Sequence, residues 1–495
     1  MNDIITASML YNLVQCPHRA FLDLFGDTAR RDEVSPFVNL LWERGTAVER
    51  ETIARLNEPF LDLSEVPVAD REERTREAMQ ARVRLIYRGR ISAEDLLGEP
   101  DLLRLDGDRY VPIDIKSGAG EEGGGSDDEE GKPKLHYAVQ LALYVDVLER
   151  LGIGPLDRRA IIWDVHGREV RYDLMAPQGS RKPQSLWDEY RLLLQQARTI
   201  VARAVEPRPA YSATCKNCYW LTLCLEKLEA DDDLTLIPQL GRAKRDVMLN
   251  EIPTISALAT VDADGFIVGK KTAFAGVGPD TLKLFAARAA MLKSAPPTPY
   301  LRSPVSLKVT EREFFFDIEV DPMRDFTYLH GVVVRDHGSG TENFVAFFTE
   351  DESAAEEKRA FAESFAFLAA DPAAHIYYYS KYERTIYRKL QQRYPDVCRP
   401  DEMEALFSAE RATDLYFDVV TRATEWPTRD YSIKSLAKYL GFSWRDTHPS
   451  GAASIEWFDR WVKGRDPTVR QRILEYNEDD CVATRVLLDG IRALV

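Results

Sequence analysis

The stretch GEPDLLRLDGDRYVPIDIKSG, residues 98–118, leaves the chain few choices. Two runs of alternating apolar and polar residues flank an Asp-Gly-Asp triplet, and Asp-Gly between such runs is a strong hairpin signal. The turn can sit on Asp106-Gly107 or on Gly107-Asp108. In either case paired positions sum to an odd number, so Asp101 and Asp114 come to one face, directly opposite or diagonal. Side chains alternate along a strand, so Lys116 shares that face while Ile115 turns into the core. Two acids and one ammonium at a point suit phosphodiester hydrolysis. The acids hold Mg²⁺ or Mn²⁺, the metal acidifies a water, and the ammonium orients the nucleophile or stabilises the crowded phosphate. A surface hairpin with solvated charges fits the spacing equally well, because Asp-x-Lys is common.

With 495 residues the chain is too long for one ordinary core, and two to four domains are expected. Residues 118–134 are rich in Gly and acid and read as a flexible surface loop. Helical periodicity covers 136–151 and 185–205. A proline-rich piece near Ala295–Ser303 marks a boundary. Beyond Glu311 the runs EFFFDIEV, YLHGVVVRD and ENFVAFFTE predict an antiparallel meander, after which helices and strands alternate.

The 65 basic and 81 acidic residues give a net charge of −16, the wrong sign for binding nucleic acid by bulk charge. Contact with phosphate must then be local, aided by cations held on carboxylates. No apolar run is long enough to span a bilayer and the N-terminus lacks a secretion signal, so a cytoplasmic protein without a membrane partner is expected. Six cysteines are too few for a disulfide scaffold. Cys215, Cys218 and Cys224 have C-x2-C-x5-C spacing, and with the distant Cys16 they make a four-sulfur set suited to [4Fe-4S] or to Zn²⁺; spacing does not choose. Cys398 and Cys481 read as ordinary buried thiols.

A second acidic set follows. Asp317 and Glu319 are two apart on a strand and face the same way. Tyr476 and Asp480 are four apart on a helix and share a face.

Three motifs in order, Gly98 to Asp101, Asp114 to Lys116 and Gln140 to Tyr144, resemble the RecB-like branch of the PD-(D/E)xK nucleases. The resemblance implies that Gln140 and Tyr144 help position substrate and the catalytic Lys116. That family has an upstream metal-binding histidine four residues after a glycine; here Gly45 is followed by Glu49, an oxygen ligand still suited to Mg²⁺. Its cysteine arrangement implies a [4Fe-4S] cluster on Cys16, Cys215, Cys218 and Cys224, stapling the first helix to the end of the domain. Residues 234–295 resemble a tandem helix-hairpin-helix module, with Gly241 and Gly276 approaching phosphate and Arg242, Lys244 and Arg245 adding charge. Ordinary glycine caps in a helical linker are the other reading.

The second set resembles the DnaQ-like exonucleases of the ribonuclease H fold. By that resemblance Asp317, Glu319, a middle acid at Glu383 and Asp480 hold two cations, and Tyr476 positions water for removal of 3′ nucleotides; Asp414 is the other candidate middle acid. The expected architecture is α/β and multi-domain: a RecB-like nuclease domain over 1–228, a helix-hairpin-helix module over 229–300 and a ribonuclease H-like domain over 301–495. The expected activity is a Mg²⁺- or Mn²⁺-dependent exonuclease acting on DNA. A non-catalytic nucleic-acid scaffold is the competing expectation. A helicase would have to be a partner chain, since no G-x-x-x-x-G-K-[ST] loop is present.

Overall fold

The computed structural model describes residues 4–122, 131–179, 183–447 and 449–495. The chain forms two compact units, 1–227 and 228–495.

The first unit opens with α1 (Ala7–Gln15), capped by the Thr6 hydroxyl accepting from the Met9 amide, then α2 (Pro17–Phe25) and α3 (Pro36–Ala54). Six strands follow: β1 (Leu61–Asp62), β2 (Leu85–Tyr87), β3 (Leu102–Asp106), β4 (Arg109–Ile115), β5 (Arg159–Trp163) and β6 (Glu169–Asp173). They lie side by side in chain order in one sheet. The β4–β5 pair is parallel because α4 (Leu135–Arg150) crosses between them. Apolar residues surround α4 on nearly all sides, from Ala138 through Leu148, because it packs on β4 and between α1 and α5 (Leu186–Val201). Each of its fully buried leucines and valines contributes about 2 kcal/mol of burial. The helix α6 (Leu221–Ala230), which carries Cys224, follows the loop of Cys215 and Cys218 and runs across the boundary to the second unit.

The β3–β4 hairpin turns at Gly107-Asp108, with Gly107 at φ +62° and Asp106 paired with Arg109. The expected loop 118–134 is ordered at both flanks, where residues 121–122 pair with 132–133; positions 123–130 lie outside the described residues. The helices expected at 136–151 and 185–205 are α4 and α5.

In the second unit, α7 (Gly241–Met248), α8 (Ile255–Thr260) and α9 (Pro279–Lys293) precede a five-stranded sheet. Its strands are β7 (Arg312–Asp321), β8 (Phe326–Asp336), β9 (Thr341–Phe348), β10 (His375–Tyr378) and β11 (Ala412–Asp414), in the order β9-β8-β7-β10-β11. The first three form the expected antiparallel meander, and β10 and β11 add in parallel. Around them pack α10 (Ala354–Ala370), α11 (Tyr382–Arg393), α12 (Ile433–Tyr439), α13 (Gly451–Gly464) and α14 (Pro467–Arg492). Helix α9 is fastened to the rest of this unit by a buried ion pair, Arg288 Nε to Glu425 Oε2 at 2.7 Å. No helix among the described residues is long and apolar enough to cross a membrane.

Candidate active sites

The hairpin register pairs Leu102 with Ile113, and one step further brings Asp101 opposite Asp114. Asp101 Oδ2 accepts from the Ile115 amide at 2.8 Å, which fixes the carboxylate at the strand end. Lys116 Nζ lies 2.8 Å from Asp114 Oδ2 and donates to Gln140 Oε1 at 3.2 Å. Gln140 reaches it from α4, and Tyr137 of the same helix places its ring 5.4 Å from the ammonium. Burial and the neighbouring Asp114 push Asp101 up to about 7. Burial alone would lower Lys116, but Asp114 and Asp101 outweigh it and hold the ammonium above its ordinary range.

Glu49 of α3 is buried and also faces this cavity, but its oxygens are engaged by the Tyr87 hydroxyl at 2.9 Å and by the Arg88 guanidinium. Tyr144 adjoins the two acids without lining the cavity. Its ring packs against Gly98, where a Cβ would meet Tyr144 Cδ1 at 2.6 Å, and its hydroxyl points to the Glu99 carbonyl at 3.5 Å. Gln140 lines the cavity; Tyr144 does not, but it stands near enough to Asp114 and Asp101 that, after burial, their charges help to raise it well above the ordinary phenol range.

Ligand oxygens of Asp317, Glu319 and Asp480 all lie within 4.8 Å of one another, the one such trio among the described residues. Strand β7 delivers the first two and α14 the third. Burial first, then Asp480, raises Glu319 to about 8, while burial with Asp480, Glu319 and Glu383 holds Asp317 well above the carboxylate range. Two acids that resist shedding their protons, gathered with Asp480, make a donor set that a divalent cation fits, since its charge removes the mutual repulsion. Lys434 Nζ donates to the Tyr476 hydroxyl at 2.8 Å and stands 3.5 Å from each Asp480 oxygen. Trp444 Nε1 donates to Asp480 Oδ1 at 2.6 Å, and Asn477 Nδ2 to Asp317 Oδ2 at 2.7 Å. The Tyr328 hydroxyl donates to Glu319 Oε2 at 3.3 Å.

Glu383, on α11, stays outside the trio. Its Oε2 is buried without a hydrogen-bond partner, and burial raises it to about 8. Asp414 has an equally unpartnered Oδ2, while its Oδ1 accepts from the Tyr416 and Phe417 amides at 3.0 Å.

Comparison with known families places these two clusters in separate matches: residues 6–225 match the PD-(D/E)XK nuclease superfamily, and residues 314–491 the RNase_H superfamily. The chain carries one domain of each. No curated protein matches it.

Within the PD-(D/E)XK domain, Cys16 sits between α1 and α2, Cys215 and Cys218 in the loop before α6, and Cys224 on α6. All four line one cavity of about 270 Å³. Burial, then Cys218, Cys16 and Cys215, push the Cys224 thiol up to about 12. Four tetrahedral thiolates around Zn²⁺ would lie about 3.8 Å apart; among the described residues no three of these sulfurs gather within 4.8 Å. Cys398 and Cys481 are buried in the second unit.

Between the two matches, Gly241 and Gly276 adopt φ of +66° and +77° at turns leading into α7 and α9. Arg242 and Lys244 are half-buried, and Lys244 Nζ is tied to the Gln239 carbonyl at 2.8 Å. Arg245 is a correction: it is 1% exposed and paired with Asp233 at 3.0 Å, so it holds the segment together and offers no charge to a phosphate.

Lys434, Trp444, Tyr328 and Asn477 were missed by sequence reasoning. Only Asn477 left a readable signal, lying three residues before Asp480 on the same helical face.

Proposed function

We propose that the protein is a metal-dependent DNA exonuclease with two hydrolytic centres. The observation that carries the reading is the Asp317–Glu319–Asp480 trio, closed to within 4.8 Å and backed by Lys434 and Tyr476. Mg²⁺ or Mn²⁺ bound there would supply a Lewis acid and an acidified water. The remaining roles belong to the chain. Asn477, Tyr328 and Trp444 hold the three carboxylates in register. Lys434 donates to the Tyr476 oxygen, and the Tyr476 O–H, which faces Asp480, would turn to an attacking water once a cation engaged that carboxylate. In the PD-(D/E)XK domain, Asp101 and Asp114 would hold the cation, and Lys116, oriented by Gln140, would neutralise charge on the phosphate. Glu49, already bonded to Arg88 and Tyr87, fits a positioning role better than that of a full ligand.

For the cysteine cavity we infer a structural [4Fe-4S] cluster of the RecB-like kind. Its support is the four-thiol donor set lining one cavity, a set that Zn²⁺ would also fit. A helix-hairpin-helix contact to the DNA backbone through Gly241, Gly276, Arg242 and Lys244 is supported by the two left-handed turns at helix starts.

The test is hydrolysis of end-labelled single-stranded DNA with Mg²⁺ by the full chain. The reading expects mononucleotides from a 3′ end, lost by about 100-fold or more in Tyr476→Phe measured on an Asp114→Ala background. Products that are exclusively internal fragments, or a Tyr476→Phe chain as active as its background, would overturn it.

A further inference from the structure

Trp42 stands on α3 with 56% of its surface exposed, yet it lines the same cavity of about 860 Å³ as Asp101 and Lys116. Isolated exposed apolar residues are ordinary on a protein surface. The position of this one is not, because α3 turns a continuous face to the cavity: Trp42, Thr46 and Glu49 all line it. They recur at four- and three-residue spacing, so Trp42 and Glu49 are about 10 Å apart along the helix. On that face Glu49 and, one turn further on, Ile53 are buried, whereas Trp42 at its N-terminal end is not. Packing therefore does not account for the indole, and nothing in the helix's own capping does.

Across the cavity stand the rings of Tyr137 and Tyr219 and the cations of Arg31 and Lys116. In a chain of net charge −16 this cavity is locally balanced, with Arg19, Arg31 and Lys116 set against Asp32, Glu49 and Asp101 and aromatic faces between them. Flat rings interleaved with cations are how single-stranded nucleic acid is held, since every base has a face to stack and every linkage a phosphate to pair. A base inside a duplex has both faces covered by its neighbours, so away from a duplex end only an unpaired nucleotide can stack on the indole.

We propose that Trp42 is a base-stacking residue of the PD-(D/E)XK centre, seating an unpaired nucleotide next to the phosphate held by Asp101, Asp114 and Lys116, and so selecting single strands. The inference rests on the reading of that domain as a nuclease. It is tested in the full chain carrying Asp317→Ala, which silences the other centre. Trp42→Ala is expected to raise KM for a single-stranded oligonucleotide about 10-fold or more, leaving kcat little changed, and Trp42→Phe to recover most of the loss. A strand bearing one iodouracil should photo-crosslink to the Trp42 peptide, and the same strand in a duplex should not. An unchanged KM, a Phe variant no better than Ala, or equal crosslinking of both strand forms would overturn the stacking role. Lys116→Ala separates the two claims. If it abolishes hydrolysis while Trp42→Ala is silent, the nuclease reading stands and the stacking role falls. If the Asp317→Ala chain has no activity for Lys116→Ala to remove, both fall.

Discussion

Lys116 and Lys434 do similar work in the two domains: each ammonium sits beside a carboxylate and donates to a neutral partner, Gln140 in one case and Tyr476 in the other. Replacing Lys116 with Met keeps the stem and removes the charge. In an Asp317→Ala chain, hydrolysis should fall about 100-fold or more with an unchanged circular dichroism spectrum, if the ammonium acts on the reacting phosphate. The acids make a pH prediction of defined sign. Glu319, held near 8, and Asp317, held well above its usual range, keep protons in the metal-free fold that the unfolded chain sheds near pH 4. Their contribution to stability is therefore complete below about pH 4 and is lost as pH rises towards 8. A divalent cation replaces those protons, so the Mg²⁺-induced rise in melting temperature should be larger at pH 8 than at pH 5. Calorimetry showing equal shifts would contradict the trio as a cation site. At this scale the acids were legible because strand and helix periods place them. Lys434 and Trp444 were not, since they reach Asp480 from 46 and 36 residues away along the chain.

Elements bring these side chains together through close approaches that a sequence announces only as an isolated glycine. Helix α14 lies so near β8 that a Cβ on Gly331 would sit 1.7 Å from Asn477 Oδ1. Gly331→Ala should cost about 1–3 kcal/mol in urea unfolding and weaken Mg²⁺ binding, because Asn477 must leave Asp317. Unfolding indistinguishable from wild type would show that the helix simply gives way. The β3–β4 hairpin and the shared face of Asp101 and Asp114 were legible from alternation and the Asp-Gly-Asp triplet, while the choice of the Gly107-Asp108 turn, which sets the two acids directly opposite, was not. The meander of β7 to β9 was equally readable from three apolar runs. Arg245 was misassigned because its partner Asp233 lies in a preceding turn, where charge pattern alone cannot separate a buried ion pair from a phosphate contact. Tyr144 was placed on the right face of α4, but helical spacing says nothing of Gly98 waiting to receive its ring.

For the whole molecule, an acidic chain organised as two units has its candidate chemistry concentrated at one centre in each. The cysteine cavity gives a prediction independent of catalysis: protein purified without oxygen should carry iron and a broad visible absorption, both lost in Cys218→Ser. A colourless, zinc-containing protein would contradict the cluster. The central claim is that recessed acids in both domains hold divalent cations for phosphodiester hydrolysis. Its most direct test is Mg²⁺-dependent release of nucleotides from labelled DNA by the wild-type chain, the Asp114→Ala and Asp317→Ala chains, and the double variant. Each single variant should retain part of the activity and the double variant none, with EDTA abolishing all of it; a double variant that still cuts, or cutting that survives EDTA, would contradict the account.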